Sequence, residues 1–257
     1  MKLLALGATV VAVLHKEPNE SLESMHKRHL QKEELVARIA PGEQARLMFI
    51  EGDITCLKDM ETLFQTQQPD VLIHAAAILI PPVRPKALDD AAFDPKLRAE
   101  YLNACERFIE INRAMVLADC AARYQKNINP NLYCLLISTI HVFNLTLGAI
   151  KEETVHAPAS LYPESKDMAE QHWSSILNPD KFCVVYPPQV FAPHQFTPAI
   201  IPVSVQNLIE GEGDKRPVSG SMNPIHVDNL INLLIALCVS SEKGRFCVSG
   251  DGVMTFE

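Results

Sequence analysis

Short apolar runs alternate with longer amphipathic stretches along this chain. Residues 8–14 form a run rich in β-branched side chains that reads as a buried strand. Residues 2–6 read as the last turn of a helix that Gly7 stops. Residues 20–39 are charged with spaced apolar positions and predict an exposed helix, broken by Pro41 and Gly42. A second strand spans 46–51 and ends in Gly52-Asp53-Ile54-Thr55, and residues 57–67 predict a short amphipathic helix. A third strand, 70–74, opens into Ala75, Ala76 and Ala77, whose small side chains let a flat ligand approach the backbone.

A proline-containing loop spans 81–95, and 97–124 predict one long helix that carries Asn112. The strand 133–137 releases Ser138 and Thr139 at its end, and a helix carrying Tyr162 follows. The strand 181–186 ends in Pro187 and Pro188. A helix over 202–210 precedes a loop with Gly and Pro, residues 223–228 lead into an apolar helix over 229–239, and 244–249 form a last strand. Strands alternating with helices at this spacing predict an α/β fold, a parallel sheet with helices on both faces. The strands near 8–14, 46–51, 70–74, 133–138 and 181–186 are expected in one sheet.

The chemistry concentrates around Tyr162 and Lys166. Four residues apart on a helix, they share one face, a turn apart. An ammonium beside a phenol favours the phenolate and lowers the tyrosine pKa from its ordinary value of about 10. The Thr139 hydroxyl can bind the same substrate oxygen. Such a set moves a proton on or off an alcohol or carbonyl. By itself the spacing also suits two surface residues at the start of a helix.

Composition narrows the classes. The chain has 257 residues, 47% hydrophobic and 21% charged, enough for one large domain or a domain with a small lobe. Its net charge is −8 and no basic run offers a phosphate-backbone footprint, which argues against a nucleic-acid partner. Seven cysteines without a CxxC pair read as small buried hydrophobes in a reducing compartment, not as a zinc site or a disulfide frame. His26 and His29 lack acidic or thiol partners, so no metal is expected. Residues 1–12 resemble a short signal peptide, but the apolar run is too short to span a membrane, and a cytoplasmic protein is the expectation.

Taken in order, these segments resemble the extended short-chain dehydrogenase/reductase family, the group of sugar-nucleotide epimerases and dehydratases and hydroxysteroid dehydrogenases. Gly52-Asp53-Ile54 resembles the strand end that contacts adenine, and His74 with Ala75, Ala76 and Ala77 the Ala-rich turn beside the cofactor. Asn112 falls where the family has a helix asparagine. Ser138 to Phe143 resembles the catalytic Ser/Thr segment, with Thr139 selected by its spacing to Val142. Tyr162 and Lys166 match the Tyr-xxx-Lys pair. The turn with Pro188 and Val190 resembles the one bordering nicotinamide and substrate, and Asn223 to Leu230 the segment returning from the substrate lobe.

The resemblance implies a Rossmann-like, doubly wound parallel sheet: a nucleotide-binding domain over 1–193 and a small substrate lobe over 194–257, of which 224–240 return to the core. It implies catalysis by Thr139, Tyr162, Lys166 and Asn112, the last supporting Lys166 through a water. It implies cofactor contacts from His15, Lys16, Asp53, Ile54, Ala75, Ala76, Ala77, Tyr162, Lys166, Pro188 and Val190. Basic His15 and Lys16 at the end of the first strand suit a 2′-phosphate and favour NADP over NAD. The partner is a small alcohol or carbonyl substrate, and a homodimer is compatible with the family. The implied function is an NAD(P)-dependent oxidoreductase or epimerase/dehydratase. The Gly-rich turn that holds the pyrophosphate has no counterpart in these residues, nor does the strand before it, and the substrate lobe reads as incomplete. The chain therefore reads as a shortened member, for which weak cofactor binding is expected. The alternative is a non-catalytic binding or regulatory protein that kept the fold.

Overall fold

The computed structural model describes residues 2–15, 33, 36–90, 93–145, 148–192, 209–210, 220–252 and 254–256. The helices expected over 20–39 and 202–210 lie largely outside these residues, as does Lys16. Helix α1 (Lys2–Ala5) ends at Gly7, whose φ of 88° suits glycine, and the Gly7 amide donates to the Leu4 carbonyl. Strand β1 (Val10–Leu14) follows. The helical residues before Pro41 end at Ala37, and Pro41 starts a separate short helix, α2 (Pro41–Gln44), since the first helical turn has no need of its missing N–H.

Strand β1 pairs in parallel with β2 (Leu47–Glu51). After helix α3 (Leu57–Gln67), strands β3 (Val71–His74), β4 (Tyr133–Ile137), β5 (Phe182–Tyr186) and β6 (Gly244–Cys247) form a four-stranded parallel sheet in that order. The expected single sheet is thus two. No described strand pairs with both β1 and β3, and a ladder cannot cross a space that backbone groups do not bridge.

The four-stranded sheet is covered on both faces, and the reason is the alternation of side chains along its central strands. Cys134 and Leu136 of β4, with Phe182 and Val184 of β5, face a core built by Phe64, Tyr124 and Trp173. Tyr133, Leu135, Cys183 and Val185 face the opposite core, with Leu230, Leu234 and Leu237 of helix α7 (Val227–Ser240). Val11, Val13 and Ile50 of the two-stranded sheet pack on the first core, so packing joins the sheets where hydrogen bonds do not.

The single long helix expected over 97–124 is two, α4 (Pro95–Arg113) and α5 (Met115–Asn127). Between them Ala114 is left-handed, with φ 44°. That conformation costs an L-residue roughly 1–2 kcal/mol, so something must hold it. The Trp173 indole N–H donates to the Arg113 carbonyl at 3.1 Å, satisfying a group at the break, while Ala114 itself is fully buried. Trp173 belongs to α6 (Leu161–Ile176), the helix that carries Tyr162 and Lys166.

Trp173→Phe deletes that donor and leaves a small void in the first core. It should cost about 2–4 kcal/mol in urea unfolding. A loss below about 0.5 kcal/mol would mean that the break is held elsewhere.

Candidate active site

Parallel pairing brings the C-terminal ends of β3, β4 and β5 to one side of the sheet. Ala75 to Ala77, Ser138 with Thr139, and Pro187 with Pro188 emerge there. Ala75 and Ala76 are exposed and Ala77 half-buried. The Ser138 amide donates to the Val185 carbonyl at 2.8 Å and the Ile140 amide to the Pro187 carbonyl at 3.1 Å, strapping this segment to β5. The buried Thr139 hydroxyl accepts from the His141 amide at 3.3 Å and so caps the one-turn 3-10 helix Ile140–Val142. The Ser138 hydroxyl is buried without a partner.

Ser160 is the N-cap of α6 in backbone conformation: its carbonyl accepts from the Glu164 amide, although its hydroxyl makes no capping bond. Pro163 therefore falls in the first turn, where proline is tolerated. Three contacts seat the helix. Trp173 bonds the break after α4. Ser165 accepts from the Asn112 amide at 3.1 Å. The buried Glu170 carboxylate accepts from the Tyr186 hydroxyl at 2.7 Å and pairs with Arg245 at 2.6 Å. Together these tie α6 to α4, β5 and β6.

On this seated helix Tyr162 lines a pocket of about 610 Å³, with Leu79, His141, Phe143 and Leu145 among its other walls. Lys166, one turn deeper, is 1% exposed. Burial pulls its ammonium down to about 8, because water no longer solvates the charge. Burial and, second, the Lys166 charge drop His74 to about 3, so this imidazole is neutral; its ring stacks on Trp173 at 5.4 Å. Among the described residues Thr139, Lys166 and Asn112 are buried and Tyr162 alone of the four expected catalytic residues lines the pocket.

One expectation changes. Burial raises the Tyr162 phenol above its ordinary value, the opposite of the lowering expected from Lys166, because the phenolate loses its water. Asn112 also makes direct bonds that the sequence did not indicate. Its carbonyl accepts from the Ile78 amide at 2.7 Å and its amide donates to the Ile78 carbonyl at 3.1 Å, so it fixes the loop after Ala77 as well as Ser165.

The expected cofactor residues are distributed along the strand ends. His15 is exposed after β1, and Lys16 lies outside the described residues. Asp53, with Ile54 beside it, follows β2. Burial pushes the Asp53 carboxyl up, but the hydroxyl and amide of Thr55 and the Arg107 guanidinium together hold it below the usual range. Pro188 and Val190 are half-buried after β5, where Val190–Phe191 pairs in parallel with Ile225–His226. Sequence reading placed His74 at the start of the Ala-rich turn but missed Arg107 and His141 as site neighbours. The signal for His141 was its place two residues after Thr139; nothing in the sequence pairs Arg107 with Asp53, 54 positions away.

The buried ammonium generates a pH prediction. Between about 8 and the ordinary 10.5 an unfolded Lys166 holds a proton that the folded one has lost, so stability rises with pH across that window. At pH 7 both states are protonated and the folded one carries a burial cost on the order of 3 kcal/mol. Lys166→Met should therefore be about 2–3 kcal/mol more stable than wild type at pH 7, an advantage that shrinks towards pH 10.5. Equal stability at pH 7 in denaturant titrations would show that the cation is fully compensated.

Comparisons with known proteins bear on the family and the fold. The chain is 24% identical over 207 residues to the mouse dTDP-D-glucose 4,6-dehydratase, covering 77% of this chain and 51% of that protein, so it spans about half the length of this relative. Its fold is similar to the enzyme WbmH of Bordetella bronchiseptica, solved with NAD+, at TM-score 0.68 and 17% identity over 99% of this chain and 71% of the other. The dTDP-4-dehydrorhamnose reductase of Bacillus anthracis, solved with NADP, superposes at TM-score 0.60 with 17% identity, over 95% of this chain and 76% of the other. Among the described residues no helix is long and apolar enough to cross a membrane. The model of one family matches residues 2–247, and the chain belongs to it: the NAD dependent epimerase/dehydratase family.

Proposed function

We propose that this chain carries the proton-transfer site of an NAD(P)-dependent oxidoreductase or epimerase/dehydratase that acts at an alcohol or carbonyl carbon. The observation that carries the reading is Tyr162 on the wall of a pocket, with the buried Lys166 one turn behind it on a helix held by hydrogen bonds at Ser165, Glu170 and Trp173. The residues fit the nicotinamide end of the cofactor. Ala75 and Ala76 leave the end of β3 free of bulky side chains, the buried Ser138 hydroxyl lacks a partner, and Lys166 is a cation near the site. When bound, the nicotinamide supplies or accepts the hydride.

The chain's own residues handle the proton. Tyr162 donates it to the substrate oxygen during reduction and takes it back during oxidation. Lys166 favours the phenolate formed in the first direction. The Thr139 oxygen already accepts from the His141 amide, which leaves its O–H to donate to the substrate oxygen. Asn112 positions Ser165 and Ile78 and acts through them. Ala75, Ala76, Ala77, Pro188 and Val190 would border the nicotinamide. Asp53 and Ile54 would border the adenine, and His15 and Lys16 would meet a 2′-phosphate, favouring NADP. The bound cofactors of WbmH and of the Bacillus anthracis reductase support a nicotinamide of either kind.

A second reading, a binding or regulatory protein on the same fold, draws on Asp53, whose carboxylate oxygens already accept from Thr55 and Arg107. Turnover decides. With NADPH above its dissociation constant and a ketone substrate, wild type should oxidise the cofactor, and Tyr162→Phe should slow this about 10²–10⁴-fold. Equal rates in the two proteins would contradict the role of Tyr162. NADPH binding without oxidation would favour the second reading.

A further inference from the structure

The pocket beside Tyr162 is built for an uncharged ligand. Its volume of about 610 Å³ falls within the range of about 300–1,000 Å³ typical of small-molecule sites. None of the described residues that line it is Lys, Arg, Asp or Glu. Leu79, Pro81, Phe143, Leu145 and Pro163 supply apolar wall. Hydrogen-bonding groups come from Tyr162, Asn144, Ser160 and His141; His141 is exposed at the surface, and partial desolvation of its ring lowers its pKa and so favours the neutral imidazole.

The approach to the pocket has the same character. Residues 78–83 read Ile-Leu-Ile-Pro-Pro-Val, with no polar side chain. Of the residues lining the pocket Leu79 is 55% and Leu145 48% exposed, and Ile80 and Val83, next along the loop that holds Leu79 and Pro81, are 70% and 87% exposed. Exposed apolar side chains gathered at the edge of a pocket mark a binding surface, whereas scattered single ones do not. A diphosphate carries two charges that must keep hydrogen bonds or meet cations when they leave water. Among the described residues these walls offer it no cation.

We propose that this pocket takes an uncharged ketone or secondary alcohol with an apolar body. The inference rests on the functional reading above for the identity of the reacting group. In reduction, hydride from the reduced cofactor forms the new C–H bond at the carbonyl carbon. The C=O π pair takes the Tyr162 proton as the new O–H, and solvent returns a proton to the phenolate. The apolar body lies against Leu79, Phe143 and Leu145, with the His141 imidazole as a neutral hydrogen-bonding partner for a second polar group.

The test uses the 257-residue chain with methyl-labelled leucines, titrated by NMR with 2-tetralone, a bicyclic ketone, and with dTDP-glucose. The expected result is that 2-tetralone shifts the Leu79 and Leu145 methyl signals and that dTDP-glucose does not displace it. Leu145→Glu, a change at a half-exposed wall position, should weaken 2-tetralone at least tenfold, with the remaining methyl spectrum showing the fold intact. Displacement by dTDP-glucose, unchanged affinity in Leu145→Glu, or no shift at these methyls would each overturn the inference. The two readings fail separately. NADPH oxidation driven by dTDP-sugars but not by 2-tetralone would sink the pocket inference and keep the functional reading. Binding of 2-tetralone in the pocket with identical NADPH oxidation in wild type and Tyr162→Phe would do the reverse.

Discussion

The site depends on a charge that the fold has taken out of water. Lys166 lies almost wholly buried on α6, and its ammonium responds by losing much of its hold on the proton. A buried amine is unfavourable for stability, so the surrounding structure must keep it there. It does so by seating α6 through contacts at several points along its length. Ser165 meets Asn112, Glu170 meets Tyr186 and Arg245, and Trp173 meets the carbonyl before the left-handed Ala114. Two of these contacts reach α4 and the third reaches β5 and β6, so rotation of the helix would break all of them.

This seating explains why the two faces of α6 differ. Tyr162 sits at the first turn, where the helix reaches the pocket, and stays accessible. Lys166 is carried one turn into the interior, near His74, whose neutral ring spares it a second cation. In the ligand-free protein the phenol is held up by burial, not pulled down by the amine. The Tyr–Lys pair is thus poised as a neutral acid above a cation, which suits proton donation to a carbonyl. Bound ligands enter this balance from the pocket side, where none of the described lining residues carries a formal charge.

Much of this was legible in the sequence, and the boundary is physical. The β-branched run of β1, the apolar runs of β4 and β5, the helix stop at Gly7 and the N-cap at Ser160 are local signals, and each appears where local rules place it. The family motifs located Tyr162, Lys166 and Asn112. Strand pairing was less accessible. The division into two sheets depends on which edges meet, a long-range property that no window of residues contains. The break at Ala114 was invisible because alanine is the strongest helix former; its left-handed backbone follows from packing and from Trp173. The direction of the Tyr162 pKa was misjudged because spacing shows proximity to a cation but not the loss of water around both groups.

The central claim is that α6 buries a cation one helical turn from the phenol that lines the pocket. Its most direct test is the side-chain NMR titration of Lys166, with ¹⁵N-labelled lysine and Lys166→Met to assign the signal. The account predicts a titration midpoint of about 8 in the ligand-free protein. A midpoint at the ordinary 10.5 would show that the amine keeps its water or has a compensating partner, and would contradict it.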